Sequence, residues 1–235
     1  TYTSYEPYMS DTRAAVEHIN EYDDSPFFRM EATFHRTVND PIGTGYYGIS
    51  HSSSTMNSPA LEMLQQLGYA YGGNYTKYDG STYITDALFG IRYLMDKEDY
   101  DGGDSYSDQR TSVPEEYTFV TQVDEEAASY SFYENPYELG LGVVSSSKIQ
   151  DVQLIDTNPF ENQNNVFNAL ISQTENTQYF TRLLPHTMDT ENMLTSTLAD
   201  GHTRYYPADQ TIAECHIDYV VRMDKDSNLY MYLPT

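Results

Sequence analysis

The sequence of 235 residues holds one cysteine, no tryptophan and only 12 lysines and arginines together. A lone Cys215 forms no internal disulfide and excludes any zinc site built from several cysteines, although it leaves the cellular compartment open. Twelve bases against 36 acids give a net charge of −24 and a pI near 4.2. So acidic a surface repels phosphate backbones, which excludes nucleic acid as a partner, and it disfavours flat adsorption to anionic lipid. No run approaches the roughly 18 apolar residues of a membrane span. Thr1 to Ser10 lack the basic start and apolar middle of a signal peptide. The sequence opens on Thr1 without a methionine and closes on Leu233-Pro234-Thr235, as a piece excised from something longer would. High net charge raises the question of disorder, but 39% hydrophobic and 14% aromatic residues answer it. The expected molecule is a folded, acidic globule with an ample core.

Periodicity sketches the elements. Ser10 or Asp11 can cap a helix to about Tyr22, with Met9, Thr12, Val16 and Ile19 on one stripe. From Phe27 to His35 the period is two, which predicts a half-buried strand carrying Phe28, Met30, Ala32 and Phe34 inward. Residues 39–58 read as loop around a short apolar turn. Ser58-Pro59 opens a helix that ends at Gly68. A strand near Tyr83, a helical turn at 86–89 and a strand over 91–95 follow. Residues 96–116 then hold eight acids and two bases, which predicts a solvated loop dividing two units, 1–100 and 101–235.

Beyond that loop the strand signal dominates, at 117–123, 129–133 and 142–146. One helix near 159–172 interrupts it, opened by Asn158-Pro159-Phe160-Glu161 and carrying Val166, Phe167, Leu170 and Ile171. Alternation over 213–223 and again over 229–233, around a turn at 224–228, predicts a long antiparallel hairpin. Cys215 falls on its apolar face, where core packing is the expectation. The fold class expected is therefore α+β: a mixed N-terminal part followed by a largely antiparallel, strand-rich C-terminal part.

Catalytic signatures are weak. Gly48-Ile49-Ser50-His51-Ser52 resembles a nucleophile elbow without its closing glycine or leading strand, and Gly103-Asp104-Ser105 lies in the acidic loop with nothing to orient a base. Asp224, Asp226 and Asn228 have the spacing that opens a calcium loop, but Leu229 and Thr235 stand where glycine and glutamate are required. Asp99, Asp101 and Asp104 read as solvated acids before they read as a weak calcium site. The histidines show no metal spacing, and no glycine-rich phosphate loop is present. No cofactor is expected. The unusual feature is 24 tyrosines. Tyr46, Tyr47, His51, Tyr69, Tyr71, Tyr75 and Tyr78 sit in loop-like surroundings, where a ring with a polar tip serves sugar contact and layer packing alike.

Several segments resemble, in order, the extracytoplasmic region of the bacterial membrane protein YfhO family. They are 27–31 (FFRME), 39–41 (NDP), 45–54 (GYYGISHSSS), 67–69 (LGY), 85–94 (TDALFGIRYL), 133–137 (YENPY) and 158–163 (NPFENQ). That family is similar to polytopic glycosyltransferases using a lipid-linked sugar, with Gram-positive members implicated in decorating teichoic acid. The resemblance implies the extracellular domain of an integral membrane protein, seating a cell-envelope glycan or teichoic-acid acceptor beside the transmembrane part of the same chain. Without the membrane-adjacent loops where the reacting carboxylate is expected, it implies a fragment that is not catalytic alone. The alternative is a non-enzymatic binding or scaffolding module. Arg29, Asn39, Tyr46, Tyr47, His51, Asp86, Arg92 and Asn135 are the candidate glycan-binding residues, although an Arg–Asp pair and loop-fixing hydrogen bonds would account for the polar ones equally.

Overall fold

The computed structural model describes residues 5–99, 108–109, 111–156, 158–171, 176–198, 203–209, 211, 214–223 and 227–232. In chain order these form α1 (Tyr5–Tyr22), β1 (Arg29–Ala32), β2 (Phe34–His35), α2 (Asp40–Thr44), β3 (His51–Ser52), α3 (Ser58–Gln66), β4 (Ala70–Gly72), β5 (Tyr75–Lys77), α4 (Tyr83–Leu88) and β6 (Ile91–Asp99). They continue as β7 (Asp108–Gln109), β8 (Thr118–Asp124), β9 (Ala128–Glu134), a short 3-10 turn at Ser147–Asp151, α5 (Pro159–Leu170), β10 (Thr187–Glu191), β11 (Met193–Thr197), β12 (Thr203–Pro207) and β13 (His216–Val220). Helices beside several small, mostly antiparallel sheets make this an α+β fold.

The chain forms two compact units, one of residues 1–179 with 232–235 and one of residues 180–231. The larger unit is organised by a four-stranded sheet in the order β1-β6-β9-β8. β1 runs parallel to β6, with Arg29 opposite Ile91 and Ala32 opposite Met95, while the remaining pairs are antiparallel. One apolar cluster joins Tyr8, Val16 and Ile19 of α1 to Met30, Phe34, Met95, Tyr130 and Phe132. A second gathers Tyr69, Tyr78, Ile91, Leu94 and Tyr117. β6 pairs with β9, which follows the acidic segment 96–116. β6 extends to Asp99, inside that segment, and residues 100–107 lie outside the described ones.

Local expectations need further correction. α1 begins at Tyr5 rather than at residue 10, since Pro7 falls in the first turn, where its missing N–H has no partner to lose. Asp11 is consequently a buried helical residue, its Oδ2 accepting the Ala127 N–H at 3.1 Å. The strand over 27–35 breaks at Thr33 and is buried on both faces. Tyr83 opens a helix instead of a strand because Thr82 and Thr85 form a reciprocal cap ahead of it. Residues 142–146 are irregular. α5 is capped by Asn158 as its sequence suggests, but its buried face is largely Asn162, Gln163, Asn164 and Asn168, with Val166 and Phe167 only partly covered.

In the smaller unit β10 pairs with β13 and β11 with β12, both antiparallel. The predicted hairpin is thus replaced: β13 finds its partner in β10, and residues 227–232 are not strand. Alternation identifies a strand and its faces but not its neighbour. Cys215, just ahead of β13, is half-buried, its thiol near the Asn192 carbonyl at 3.4 Å, and not a core residue. Asp224, Asp226, Asp101 and Asp104 lie outside the described residues.

Candidate functional site

The loop between α2 and β3 is folded around a buried acid. α2 ends at Gly45, whose φ of 94° suits a residue without a Cβ. The chain then returns alongside β1, the Met30 N–H donating to the Tyr47 carbonyl at 3.1 Å. Glu31 of β1 is fully buried, and its Oε1 accepts the backbone N–H groups of Ile49 and, at 3.1 Å, Ser50. Gly48 makes this approach possible: a Cβ there would lie 2.7 Å from Glu31 Oε1 and 3.0 Å from both Pro41 and Tyr46. Ser50 Oγ accepts the Tyr78 N–H at 2.8 Å, and Asn39 Oδ1 accepts the Ser52 N–H at 2.8 Å. β3 then pairs with β5, placing His51 opposite Thr76. The loop is held at both ends and in the middle.

A second buried acid lies on α4. Asp86 Oδ2 accepts the hydroxyls of Tyr78 at 2.8 Å and Tyr117 at 2.7 Å. Burial pushes its carboxyl up to about 7 against those two hydrogen bonds. Burial likewise raises Glu31 to about 8, with the Ile49 and Ser50 amides opposing and the charge of Asp86 adding to the rise. Among the described residues neither Glu31 Oε2 nor Asp86 Oδ1 has a hydrogen-bond partner. A protonated carboxyl suits such sites better than a charged one. Both acids are buried, Glu31 at 0% and Asp86 at 1% exposure.

The sequence-predicted residues divide into groups. Tyr47 is 62% exposed and its ring lies against Phe27, 4.7 Å between centroids and tilted by 34°. The Arg29 guanidinium lies 5.8 Å from the centre of the Phe27 ring and donates to the Phe89 carbonyl at 2.7 Å. Tyr47, Phe27 and Arg29 therefore make one aromatic step with a cation beside it. Asn39, ahead of α2, and His51 of β3 flank the loop, and Asn39 accepts the Ser52 N–H next to His51. Tyr46 is buried, its hydroxyl proton held by burial and by the nearby Glu31, Tyr8 and Asp40. Asp86 is buried as described.

Arg92 and Asn135 are used internally. The Arg92 guanidinium reaches Asp23 at 2.8 Å, Ser25 at 3.0 Å and Glu138 at 3.4 Å, so the Arg–Asp pair joins Arg92 to Asp23 rather than to Asp86. Asn135 donates to the Ile91 carbonyl at 2.9 Å and accepts the Tyr137 N–H.

Sequence reasoning missed Glu31 and Asp40. Strict alternation assigned Glu31 to the solvent face; the signal against that was a glycine-rich loop long enough to fold over the strand. Asp40 Oδ2 accepts the Tyr8 hydroxyl and the Arg36 N–H while Oδ1 accepts the Thr37 N–H and hydroxyl, an arrangement visible in the Thr37-Val38-Asn39-Asp40 turn chemistry. A cavity of about 150 Å³ adjoins this region, lined by His35, Arg36, Thr37, Val38, Ser50, Lys77 and Asp79. Among the described residues no cluster of histidine, cysteine and carboxylate side chains could hold a metal ion. No helix among them is long and apolar enough to cross a membrane.

Comparison with curated proteins and with solved structures finds no match. The profile described as bacterial membrane protein YfhO matches residues 1–235, the whole chain. The order of the resembling segments agrees with that match, and the chain belongs to the YfhO family of bacterial membrane proteins.

Proposed function

We propose that this chain is the extracellular domain of a membrane glycosyltransferase-like protein and seats a cell-envelope glycan or teichoic-acid acceptor, without being catalytic alone. The observation that carries the reading is the exposed ring of Tyr47, tilted against Phe27 beside Arg29, on a loop whose backbone is pinned to Glu31. One face of Tyr47 is taken by Phe27, and the exposed remainder suits the apolar face of a sugar ring. A fixed loop on a rigid sheet is where such contacts are carried, because they need neither a buried backbone nor a moving one. The polar residues flanking the loop, Asn39 ahead of α2 and His51 of β3, offer hydrogen bonds to the hydroxyl groups of a polymer.

Tyr47→Ala tests this reading in the whole membrane protein and in the isolated chain together. Lost glycan decoration in cells, with the melting temperature of the isolated chain unchanged, is the expected result. Intact decoration, or a fall in stability that matches the loss of function, overturns it. A scaffolding module with no sugar transfer is the second reading, favoured by the internal use of Arg92, Asp86 and Asn135. On that reading Tyr47→Ala leaves decoration intact, while Arg92→Met lowers both stability and assembly.

A further inference from the structure

Among the described residues of the smaller unit none is buried. Two-stranded ribbons are marginal alone, and an apolar sheet face is stable only when something covers it. β10 and β11 follow one another with a bend at Asn192, whose φ is 59°. The bend separates two ribbons of opposite character. The β10–β13 ribbon carries Asp189, Glu191 and Asp218, with Asp189 directly opposite Asp218. The β11–β12 ribbon, from Met193 to Leu198 and from Thr203 to Ala208, carries no acid and one base, Arg204, in a chain with 36 acids. Its register sets Leu194 opposite Tyr206 and Ser196 opposite Arg204, so these four share one face, and Leu198 continues it. Leu194, Leu198 and Tyr206 are 49%, 43% and 39% exposed. The other face is partly covered within the unit: Met193 and Tyr205 are half-buried, and the Tyr205 hydroxyl donates to Met188 Sδ at 3.1 Å. Residues 199–202, outside the described ones, form no part of the uncovered face.

We infer that this uncovered face of the β11–β12 ribbon rests on a phospholipid bilayer, at the level of the headgroups and the first acyl carbons. Leucines beside a tyrosine and an arginine suit that boundary: the aliphatic groups and the ring enter its apolar side, while the hydroxyl and the guanidinium reach water and phosphate. The lack of acid matters as much, since a carboxylate there would lose its hydration. Charge favours a bilayer over a second copy of the chain. Two chains of −24 repel one another, whereas a zwitterionic lipid surface carries no net charge. The acidic remainder opposes broad adsorption to anionic lipid and so confines the contact to this one face. Membership of a family of membrane proteins supplies the bilayer. The open edges of a two-stranded ribbon need water or headgroups for their unpaired N–H and C=O groups, which keeps the contact shallow. The contact goes beyond the Tyr47 platform and would stand if no glycan were bound.

The sequence has no tryptophan, so Tyr206→Trp and Val220→Trp each give the chain a single fluorescent reporter. Val220, 50% exposed on the acidic ribbon, is the control. Each purified chain is mixed with phosphatidylcholine vesicles brominated either near the headgroup end of the acyl chains or near their methyl end. The emission of Tyr206→Trp should shift to the blue and be quenched most by the shallow bromines, while Val220→Trp stays unquenched. Adding Leu194→Glu and Leu198→Glu to Tyr206→Trp should lower vesicle affinity by at least about tenfold. Ser196→Glu, which sets a carboxylate on the face without removing an apolar side chain, should also weaken binding and keeps the test valid if the double variant misfolds. An unquenched Tyr206→Trp, equal quenching of the two reporters, or affinity that survives Ser196→Glu overturns the assignment. So does a dimer in sedimentation that Ser196→Glu dissociates, which would give the face to a second copy.

Discussion

Replacing Glu31 by Gln should flatten the pH dependence of stability, because Glu31 carries a proton in the fold that it does not carry in the unfolded chain. Its ordinary value is 4.5 and its folded value about 8. For a group whose folded value is raised, the folded state binds the extra proton between those two values. Stability is therefore fully present below about pH 4.5 and falls as pH rises through that window. The linkage slope is about 1.4 kcal/mol per pH unit for one proton, and Asp86, raised to about 7, adds a second fall across an overlapping window. In a chain of this size that slope lowers the melting temperature by about 3–5 °C per pH unit for each group.

Gln keeps the carbonyl oxygen that accepts from Ile49 and Ser50 and cannot ionise. Its amide N–H groups land where Glu31 Oε2 has no partner among the described residues, a penalty of about 1–3 kcal/mol that does not vary with pH. The variant should thus be no more stable than the parent at pH 5 and clearly more stable at pH 8. Thermal melts at pH 5, 6, 7 and 8, each in low and high salt, are the assay. Salt matters because a net charge of −24 also opposes folding as pH rises, but that repulsion is screened and a buried proton is not. Parallel profiles for parent and variant in high salt would refute the buried-proton argument.

Gly48→Ala should destabilise the larger unit by about 1–3 kcal/mol in urea denaturation, since its Cβ meets Glu31, Pro41 and Tyr46 at 3.0 Å or less. Gln163→Ala removes a side chain that donates to the Leu67 carbonyl at 2.7 Å and accepts the Thr82 hydroxyl at 2.6 Å; a loss of at least about 2 kcal/mol is expected in the same assay. Asp23 titrates in the opposite sense to Glu31. Burial would raise it, but hydrogen bonds from Ser25, Arg92 and Tyr93 outweigh that, so its contribution is present above its ordinary 3.8 and lost as pH falls below it. Parent melts should accordingly turn downward below about pH 4, and Arg92→Met should weaken that turn. The isolated chain should turn over neither activated sugars nor activated esters; turnover abolished by Ser50→Ala would reverse that expectation.

The elements legible in the sequence were those whose signal is local. α3, α5 and the strands at β8 and β9 follow from cap residues and from period-two runs, and each lies close to its expected bounds. What the sequence concealed depends on partners far along the chain. β13 alternates cleanly, yet nothing in its residues points to β10. The apolar stripe of α5 predicted only Leu170 of its buried face, because the rest of that face is satisfied by hydrogen bonds: Asn162 serves Gln66 and Ile155, and Asn168 serves Asn164 and Thr177. Glu31 was hidden by the same limitation. Its burial is set by a loop that hydropathy cannot place, while Tyr47 and Arg29 were identifiable as residues but not as neighbours until Phe27 joined them.

The parallel register of β1 and β6 governs when this protein can first become itself during synthesis. Arg29 has no ladder partner until Ile91 has been made, and β6 gains its other neighbour only with Ala128 to Glu134. Until then α1, β1 and β2 carry Ile19, Met30 and Phe34 without the β6 and β9 residues that complete their cluster, and Glu31 waits beside a loop that closes on it from 18 residues downstream. Distant pairing of this kind is slow, since the closure entropy comes before the contacts that repay it. A ribosome paused before the codon of Glu134 therefore holds an adhesive nascent chain, and only once Tyr179 has emerged is the larger unit present except for residues 232–235.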